Sequence, residues 1–364
     1  MRHRTLFALL LILSALLFAC AREPSTSTTP TADLPESSVE ETTPAVAEGE
    51  TPIAWINGTP VDDETFDEAL SALMNQYGQT YAQFGIDISG LRVGADGRVF
   101  ELAIEAETFL QIVQQVLTQE EADRRGITIS DEEIDAEIES QYQAYLDAQG
   151  WTEADLSVVL AEQGRTLDAF KKQVRTYIAD QFLAMAVQRA VAGPLEVTEE
   201  QLTAYFEANR ATYGGAELAD VIDDVRTDLE TELSYDAAVA WYEGAFRAAT
   251  LEFSDPLLEA AVYQADDLDA AIDVLVAARA DGSSDDPYLS YVLGSLYENK
   301  IDAIRVEQAS TPATEDASEF DAQLETYRAR ALECYQDAQT AFPDDTAIQS
   351  KVAEFSDAVD TDGL

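Results

Sequence analysis

The fold of the first half of this chain depends on the stretch Ile53-Ala54-Trp55-Ile56-Asn57-Gly58. Pro52 to Ile56 is an apolar run that predicts a short β-strand, and Asn57-Gly58 is a turn dipeptide that ends it. Much further along, Thr250-Leu251-Glu252-Phe253 alternates in polarity, as a half-buried strand does. Two strands so far apart can pair and close the chain between them into one domain, which we predict to span residues 52–255.

Between the two strands, apolar residues recur at helical spacing and are divided by start and stop signals. Asp62 can cap the first helix, and Ser130 with Glu133 forms a capping box. Thr198 with Gln201 forms a second capping box further along. Other helix boundaries are predicted at Gly126, Gly150, Thr152, Thr166, Gly193-Pro194 and Gly214-Gly215.

Segments of this region differ in how clearly they are patterned. Gln79 to Arg98 is rich in glycine and weakly patterned, so it is interpreted as a long loop or a short helix. Phe100 to Arg125 has a broad apolar face and predicts one long helix. Two more helices are predicted over Leu218 to Leu233 and Tyr235 to Ala248. The expected fold class is mainly α, closed by a short two-stranded pairing.

The chain changes character in residues 256–356, where short alanine-rich helices alternate with turns and predict helical hairpins. Ser290 stands where the tetratricopeptide pattern has tryptophan, and a low-complexity insert, Ala309 to Ser318, separates two of the helices. A plain helical appendage is the alternative interpretation, and residues 357–364 are predicted to be a disordered tail. The residues that resemble the tetratricopeptide pattern are Leu293-Gly294, Tyr297, Ala331, Tyr335 and Pro343.

The first residues have the pattern of an export signal. Arg2 and Arg4 precede an apolar run from Leu6 to Phe18, which is too short to span a bilayer of about 20 apolar residues. Leu17-Phe18-Ala19-Cys20 closes the run and resembles the bacterial lipobox, in which the cysteine thiol takes a lipid. We therefore predict a lipoprotein signal peptide over residues 1–20 and lipidation at Cys20. An ordinary signal peptide with an incidental cysteine is the alternative.

Residues 21–51 are rich in Pro, Ser, Thr and Glu and nearly free of large apolar side chains. Such a segment buries too little surface to offset the entropy lost on ordering, so we predict a disordered tether. A flexible tether of this length has a root-mean-square span of roughly 30 Å. Membrane attachment is therefore expected through the lipid anchor, at the periplasmic or extracytoplasmic side of the cell envelope.

The formal net charge is −50, and Lys171, Lys172, Lys300 and Lys351 are the four lysines. A field of this sign repels nucleic acid and anionic lipid surfaces, so no nucleic-acid partner is expected. Because the acids are dispersed along the chain, adaptation to high salt is the favoured interpretation, since salt screens their mutual repulsion. Attraction of cationic clients is the alternative.

The residue inventory argues against the common catalytic sites. His3 is the single histidine, and it lies in the predicted signal peptide. Without histidine, a mature chain lacks the usual Ser-His-Asp and Cys-His nucleophilic sites and the usual zinc ligands. Cys334 lies beside Leu332 and Tyr335 in a predicted helix and is interpreted as a small core residue. No catalytic residue, cofactor site or metal site is predicted, and the protein is not expected to be an enzyme.

Residues 53–253 resemble the SurA/PrsA-type periplasmic and extracytoplasmic chaperones. Ile53 to Gly58 is similar to the opening strand of that family, and Gly126 to Ile134, after Glu120-Glu121-Ala122, is similar to its central helix junction. The similarity continues through Gly164 to Phe170, Val197 to Leu202, Tyr205-Phe206, Asn209 and Tyr213.

In that family, a parvulin prolyl-isomerase domain usually follows the position of Tyr213. Here Gly214-Gly215-Ala216-Glu217 leads directly to Leu218, where the returning helix begins. The resemblance therefore implies a chaperone without the isomerase domain and without its activity.

The resemblance implies a lipid-anchored, ATP-independent chaperone that holds unfolded or partly folded secreted or outer-membrane proteins in an apolar cradle. The alternative function is a scaffold or assembly subunit of an envelope complex, with an envelope protein partner at the tetratricopeptide-like tail. Aromatic side chains at helical spacing are mostly expected in the core, with a minority lining the cradle. They are Tyr142, Tyr145, Phe170, Tyr177, Phe182, Tyr205 and Phe206.

Overall fold

The computed structural model describes residues 52–162, 166–310 and 317–361, so the predicted signal peptide, Cys20 and the predicted tether lie outside the described residues. The described chain is mainly helical with a small antiparallel sheet, and this confirms the predicted fold class. The strands are β1 Ala54–Ile56, β2 Thr59–Val61 and β3 Leu251–Phe253. The helices of the first part are α1 Asp63–Ala82, α2 Gly94–Arg125, α3 Asp131–Gln149, α4 Glu153–Glu162, α5 Leu167–Ala192, α6 Glu199–Ala208 and α7 Ile222–Ala248. Those of the second part are α8 Pro256–Tyr263, α9 Leu268–Asp281, α10 Leu289–Ser310, α11 Ala317–Ala341 and α12 Thr346–Thr361.

The sheet has the strand order β2-β1-β3. Ala54 lies opposite Phe253 and Ile56 opposite Leu251, so the predicted long-range pairing is confirmed. The expectation of two strands is wrong, because the chain turns at Asn57-Gly58 and pairs again as β2. Both turn residues have positive φ, 52° and 84°, as a tight hairpin turn requires. The sheet therefore consists of a local hairpin and one strand from about 200 residues later in the chain.

Local signals correctly placed most helix ends. Asp62 accepts a hydrogen bond from the Thr65 amide, and Thr166 accepts one from the Ala169 amide. Both predicted capping boxes are present, at the starts of α3 and α6. Gly126 and Gly150 end α2 and α3 in the left-handed conformation that glycine favours.

Two helices differ from the prediction. Helix α2 begins at Gly94, whereas the sequence predicts Phe100, and a 3₁₀ turn at Ile88–Arg92 precedes it. A Cβ on Gly97 would lie 2.3 Å from the carbonyl carbon of Arg92, so glycine permits this tight entry. Helix α7 is continuous from Ile222 to Ala248, because no glycine or proline interrupts it near Ser234, where two helices are predicted to meet.

The first hydrophobic core lies between the sheet, α1, α2 and α8. The Phe109 ring lies 5.0 Å from the Phe253 ring, centroid to centroid, and joins α2 to β3. Leu258 and Val262 of α8 complete this core, although they lie beyond the predicted domain boundary at residue 255. The other buried members are Ala54, Ile56, Val61, Phe66, Ala106, Ile112, Val113 and Leu117.

The second core gathers α8 to α12 around the beginning of α2, which contributes Ala95 and Leu102. Helix α8 packs on α9 and α10 on α11, as the predicted hairpins require. A Cβ on Gly294 would lie 2.6 Å from the Tyr335 ring, so glycine sets the close approach of α10 and α11. Helix α12 extends to Thr361, whereas the sequence predicts disorder from residue 357. The division at residue 255 stays a prediction, while the packing gives α2 a place in both cores.

Polar contacts reinforce the junction between the two cores. The Ala95 amide donates to the Asp345 carboxylate at 3.0 Å, and the Tyr291 hydroxyl donates to Asp96 at 2.5 Å. Arg98 donates to Asp286 at 2.7 Å. Each contact joins the first two turns of α2 to helices or turns of the second part. The second part is therefore held in a fixed orientation on α2.

Candidate functional site

Two smaller apolar clusters hold the outlying helices in place. Tyr142 and Leu146 of α3 pack with Leu156 and Leu160 of α4, and α5 lies over them. A second cluster pairs α6 with the beginning of α7 through Leu202, Phe206, Val225 and Leu229. Neither cluster belongs to the two main cores. The middle of α5 and α7 therefore runs between well-packed regions.

Apolar side chains along α5 and α7 are only half-buried. The two helices pack on each other, and Ile178 and Val187 of α5 are fully covered. Their neighbours remain partly open to solvent. They are Val174, Phe182, Leu183, Met185 and Val191 on α5, and Tyr235, Val239 and Trp241 on α7. We call this set the α5–α7 surface.

A cleft of about 200 Å³ lies next to this surface, between the second half of α2, the end of α7 and the β1–β2 turn. Its apolar side includes Leu117 and the half-buried Trp241. Small side chains after the tryptophan keep the cleft open. The remaining lining residues are Asn57, Glu120, Glu121, Arg124, Ala245, Ala248 and Ala249.

Charged side chains fix the walls of the cleft. Glu121 is nearly buried and accepts hydrogen bonds from Arg124 and Arg125 at 2.6 to 2.7 Å. The hydrogen bond from Arg124 is the main reason why the pKa of Glu121 is lowered to about 2. Arg125 also donates to the carbonyl oxygen of Ala190, which ties α2 to the end of α5. Since the two arginines balance Glu121, this corner offers a cleft with an apolar side and a hydrogen-bonded polar side.

The β1–β2 turn is held at the cleft by Asn57. Its side-chain amide donates to Glu120 at 2.8 Å, and its carbonyl oxygen accepts from the Thr250 amide at 2.9 Å. The same side chain therefore joins α2, the hairpin and the start of β3. This arrangement can hold an apolar side chain, and none of its groups is disposed as a nucleophile paired with a base.

The residue types considered for chemistry have structural positions. Cys334 is buried in the second core, and burial raises the pKa of its thiol to about 11, so it is a core residue as predicted. Within residues 52–162, 166–310 and 317–361, no three His, Cys, Asp or Glu side chains are grouped to hold a metal ion. Across the same ranges, no helix is both long and apolar enough to cross a membrane.

The aromatic residues singled out from the sequence divide between core and surface. Tyr142 and Phe206 are buried, and Phe170, Phe182 and Tyr205 are half-buried. Tyr177 is exposed on α5, while the side chain of Tyr145 lies outside the described residues. Sequence reasoning missed Trp241. Its signal is a tryptophan that stands among alanines in Ala237-Ala238-Val239-Ala240-Trp241, where few large neighbours can cover it.

Comparisons with known proteins bear on this geometry. Residues 37–184 match the sequence profile of the SurA-like N-terminal domain. This part of the chain is similar to that domain. The match begins inside the predicted tether and ends within α5, so it includes the helices that precede the α5–α7 surface but only Val174, Phe182 and Leu183 of that surface. The resemblance inferred from the sequence is confirmed for this domain.

Curated relatives give the same result. The chain is 24% identical over 177 residues to the foldase protein PrsA of Clostridium perfringens strain SM101, covering 48% of this chain and 47% of the relative. It is 26% identical over 179 residues to the foldase protein PrsA of strain 13, with the same shares. The chain therefore spans about half the length of the curated relatives that it matches. No solved structure matches it significantly.

Proposed function

We propose that this protein is an ATP-independent chaperone that holds unfolded or partly folded secreted or outer-membrane proteins. The observation that carries the proposal is the half-buried α5–α7 surface, which begins at the end of the part similar to the SurA-like domain. Extended apolar surfaces that a fold leaves partly open are typical of binding sites for apolar segments. The neighbouring cleft beside Trp241 provides a pocket for a single apolar side chain.

The proposed activity is holding without prolyl isomerisation. Helix α6 ends at Ala208 and α7 begins at Ile222, and the short link between them contains a turn and the 3₁₀ segment Leu218–Asp220. Tyr213 packs back on Phe206 at 5.6 Å between ring centroids, so this link is part of the α6–α7 cluster. A chaperone of this kind needs no cofactor, because apolar contact provides the binding free energy.

The proposed location is the cell envelope, with the lipid on Cys20 as the membrane anchor. The lipobox-like Leu17-Phe18-Ala19-Cys20 and the tether-like composition of residues 21–51 support it. A tether spanning roughly 30 Å would place the α5–α7 surface within reach of proteins that emerge at the membrane.

A scaffold role remains the second candidate. Val276 on α9 and Val306 on α10 are large apolar side chains exposed on the second part of the molecule, which the predicted tetratricopeptide-like hairpins form. A folded envelope protein could dock there. The two candidate functions differ in the range of partners, because a chaperone binds many unfolded chains and a scaffold binds one folded partner.

Light scattering of a refolding test protein distinguishes them. The full chain carrying Cys20→Ser should suppress aggregation without ATP, and Trp241→Ser with Phe182→Ser should weaken suppression. Val276→Ser with Val306→Ser is the matched control and should leave suppression unchanged. If the full chain never suppresses aggregation and instead recovers one folded partner in fixed stoichiometry, the scaffold role replaces the chaperone role.

A further inference from the structure

The longest stretch without a charged side chain lies between Glu68 and Asp87, in a sequence with 71 acidic residues. It forms most of α1 and the turn that follows the helix. Elsewhere acidic residues are dispersed over the whole chain, so the surface of this stretch differs sharply from its surroundings. A long uncharged surface on a strongly acidic protein needs a physical reason, because acidic residues keep such a protein hydrated.

The turn between α1 and α2 exposes large apolar side chains. Phe84 and Val93 are each 75% exposed, and Ile86 and Leu91 are each 43% exposed. They lie within ten residues of one another, at the end of the α1–α2 pair that is remote from the sheet. We call these residues the α1–α2 tip. Scattered exposed apolar residues are common on proteins, whereas a contiguous group marks an interaction site.

The backbone of the tip is ordered by its own hydrogen bonds. The Phe84 and Ile86 amides both donate to the Tyr81 carbonyl oxygen, at 2.9 and 3.1 Å. The Ser89 amide donates to the Asp87 carboxylate at 2.9 Å. The exposed side chains are thus held outward by a fixed turn, and binding would require little further ordering of the backbone.

A shallow cavity lies beside one of these side chains, Ile86. It has a volume of about 330 Å³ and is formed where α1 ends and the chain turns back. Two of its lining residues, Gly78 and Gly85, have no side chain that could occupy it. The lining residues are Gly78, Ala82, Gly85, Ile86, Asp87 and Ile88.

Charge decides which occupant fits the tip. The net charge of −50 opposes the approach of a second copy of this chain and of an anionic membrane surface. Arg92 is paired with Glu101 at 2.9 Å, and Asp87 lies exposed beside the cavity, so the rim of the tip carries no excess positive charge. An apolar segment meets no charge at Phe84 and Ile86, and of the charged side chains beside them Arg92 is already paired, while lysine or arginine on either side of the segment is attracted by the surrounding acids.

We propose that the α1–α2 tip binds short apolar segments of unfolded polypeptides that are flanked by lysine or arginine. This inference rests on the proposed chaperone function and assigns it a second client site, separate from the α5–α7 surface. Apolar contact with Phe84, Val93 and the cavity provides affinity, and the acidic surroundings accelerate association. Clients that are basic and poorly folded would be favoured over acidic ones.

Fluorescence anisotropy with a labelled peptide tests the proposal. The peptide has a Leu/Phe core with two lysines at each end, and the protein is the full chain with Cys20→Ser. Phe84→Ser with Val93→Ser should raise the Kd about tenfold or more, because apolar burial of this size is lost. The matched control, Val158→Ser with Val306→Ser, removes side chains that are 60% and 62% exposed elsewhere and should change the Kd less than about twofold.

A second peptide with glutamates in place of lysines should have a higher Kd than the lysine-flanked peptide in dilute buffer. In molar NaCl the Kd values of the two peptides should become more similar, because salt screens the charges. The tip side chains are mostly in solvent, so both double variants should melt at the same temperature as the parent. Ile86→Ser, a single change in the cavity lining, should also raise the Kd of the lysine-flanked peptide.

Other results would overturn the inference. If tip and control variants bind the peptide equally well, the tip is not a client site, while aggregation suppression would still uphold the chaperone function. If the parent neither binds the peptide nor suppresses aggregation, the chaperone function itself fails. A parent that sediments as a dimer while the tip variant is monomeric would make a second copy the occupant. If the protein floats with neutral lipid vesicles and this flotation depends on Phe84, the occupant of the α1–α2 tip is a membrane surface.

Discussion

Replacing Asp345 with alanine should destabilise the molecule more than the loss of an ordinary helix cap. One oxygen of this carboxylate accepts from the Ala95 amide at 3.0 Å, at the start of α2. The other accepts from the Ala347 and Ile348 amides at 2.9 and 3.3 Å, at the start of α12. The residue before α2, Val93, provides no side-chain cap of its own. A single carboxylate therefore caps two helices from different parts of the chain.

The magnitude follows from the number of helix ends that lose their partner. Loss of one N-cap costs about 1 kcal/mol, with a range of roughly 0.5–2 kcal/mol, so Asp345→Ala should cost about 2 kcal/mol and up to about 4 kcal/mol. For a protein of this size, each kcal/mol lowers the melting temperature by about 2–4 °C, so a decrease of about 4–8 °C is expected. Asp345→Asn retains one acceptor oxygen and places an NH2 donor at the other position, so it can cap one of the two helices and should recover about half of the loss at most.

Urea unfolding followed by circular dichroism measures the effect on the full chain carrying Cys20→Ser. The matched control is Asp267→Ala, since Asp267 caps α9 alone through the Ala270 amide at 3.0 Å. The free-energy loss at Asp345 should be about twice that of the control. A loss no larger than that of Asp267→Ala would refute the idea that the carboxylate stabilises both helices together.

Three further predictions concern the anchor, the charge and the cleft. Cys20→Ser should move the protein from the membrane to the soluble fraction, and a variant that stays membrane-bound would contradict lipid anchoring. The melting temperature should rise between dilute buffer and molar NaCl, where the screening length falls from about 30 to about 3 Å, and a flat or falling trend would argue against high-salt adaptation. The pKa of Glu121 is lowered from 4.5 to about 2 on folding, so its stabilisation is complete above pH 4.5 and is lost as the pH falls towards 2. The stability difference between the parent and Glu121→Gln should shrink over that range, and a constant difference would contradict the Arg124 pairing.

Where the sequence prediction succeeded, the deciding groups are neighbours in the chain. Thr65 lies three residues from its cap, Asp62, and Gly126 ends α2 by its own backbone conformation. The start of α2 was misplaced because its cap, Asp345, lies 250 residues away. Strand β2 was missed although Asn57-Gly58 is a hairpin signal, since Pro60 removes a backbone donor and weakens the appearance of a strand.

The two surfaces proposed to bind clients are likewise only partly predictable from the sequence. The uncharged run from Ala69 to Ile86 is visible in the sequence, but only the turn at Tyr81 shows that its end exposes Phe84. Trp241 is conspicuous among alanines, yet the cleft beside it forms only when α2, α7 and the hairpin come together. Tertiary packing decides which apolar residues of a helix remain open, and local pattern does not encode it.

The double role of α2 sets the order in which this chain can finish folding. The sheet is complete only when Phe253 is present to pair with Ala54. Helix α2 is capped only when Asp345 is present to accept a hydrogen bond from the Ala95 amide. At 5–20 residues per second, synthesis would separate the appearance of Ala54 from that of Asp345 by about 15–60 s. Until α8 has been made, the first core lacks Leu258 and Val262, and contacts of such long range also slow folding. The start of α2 therefore gains its cap only when the chain has been made as far as Asp345, later than every residue of the first core.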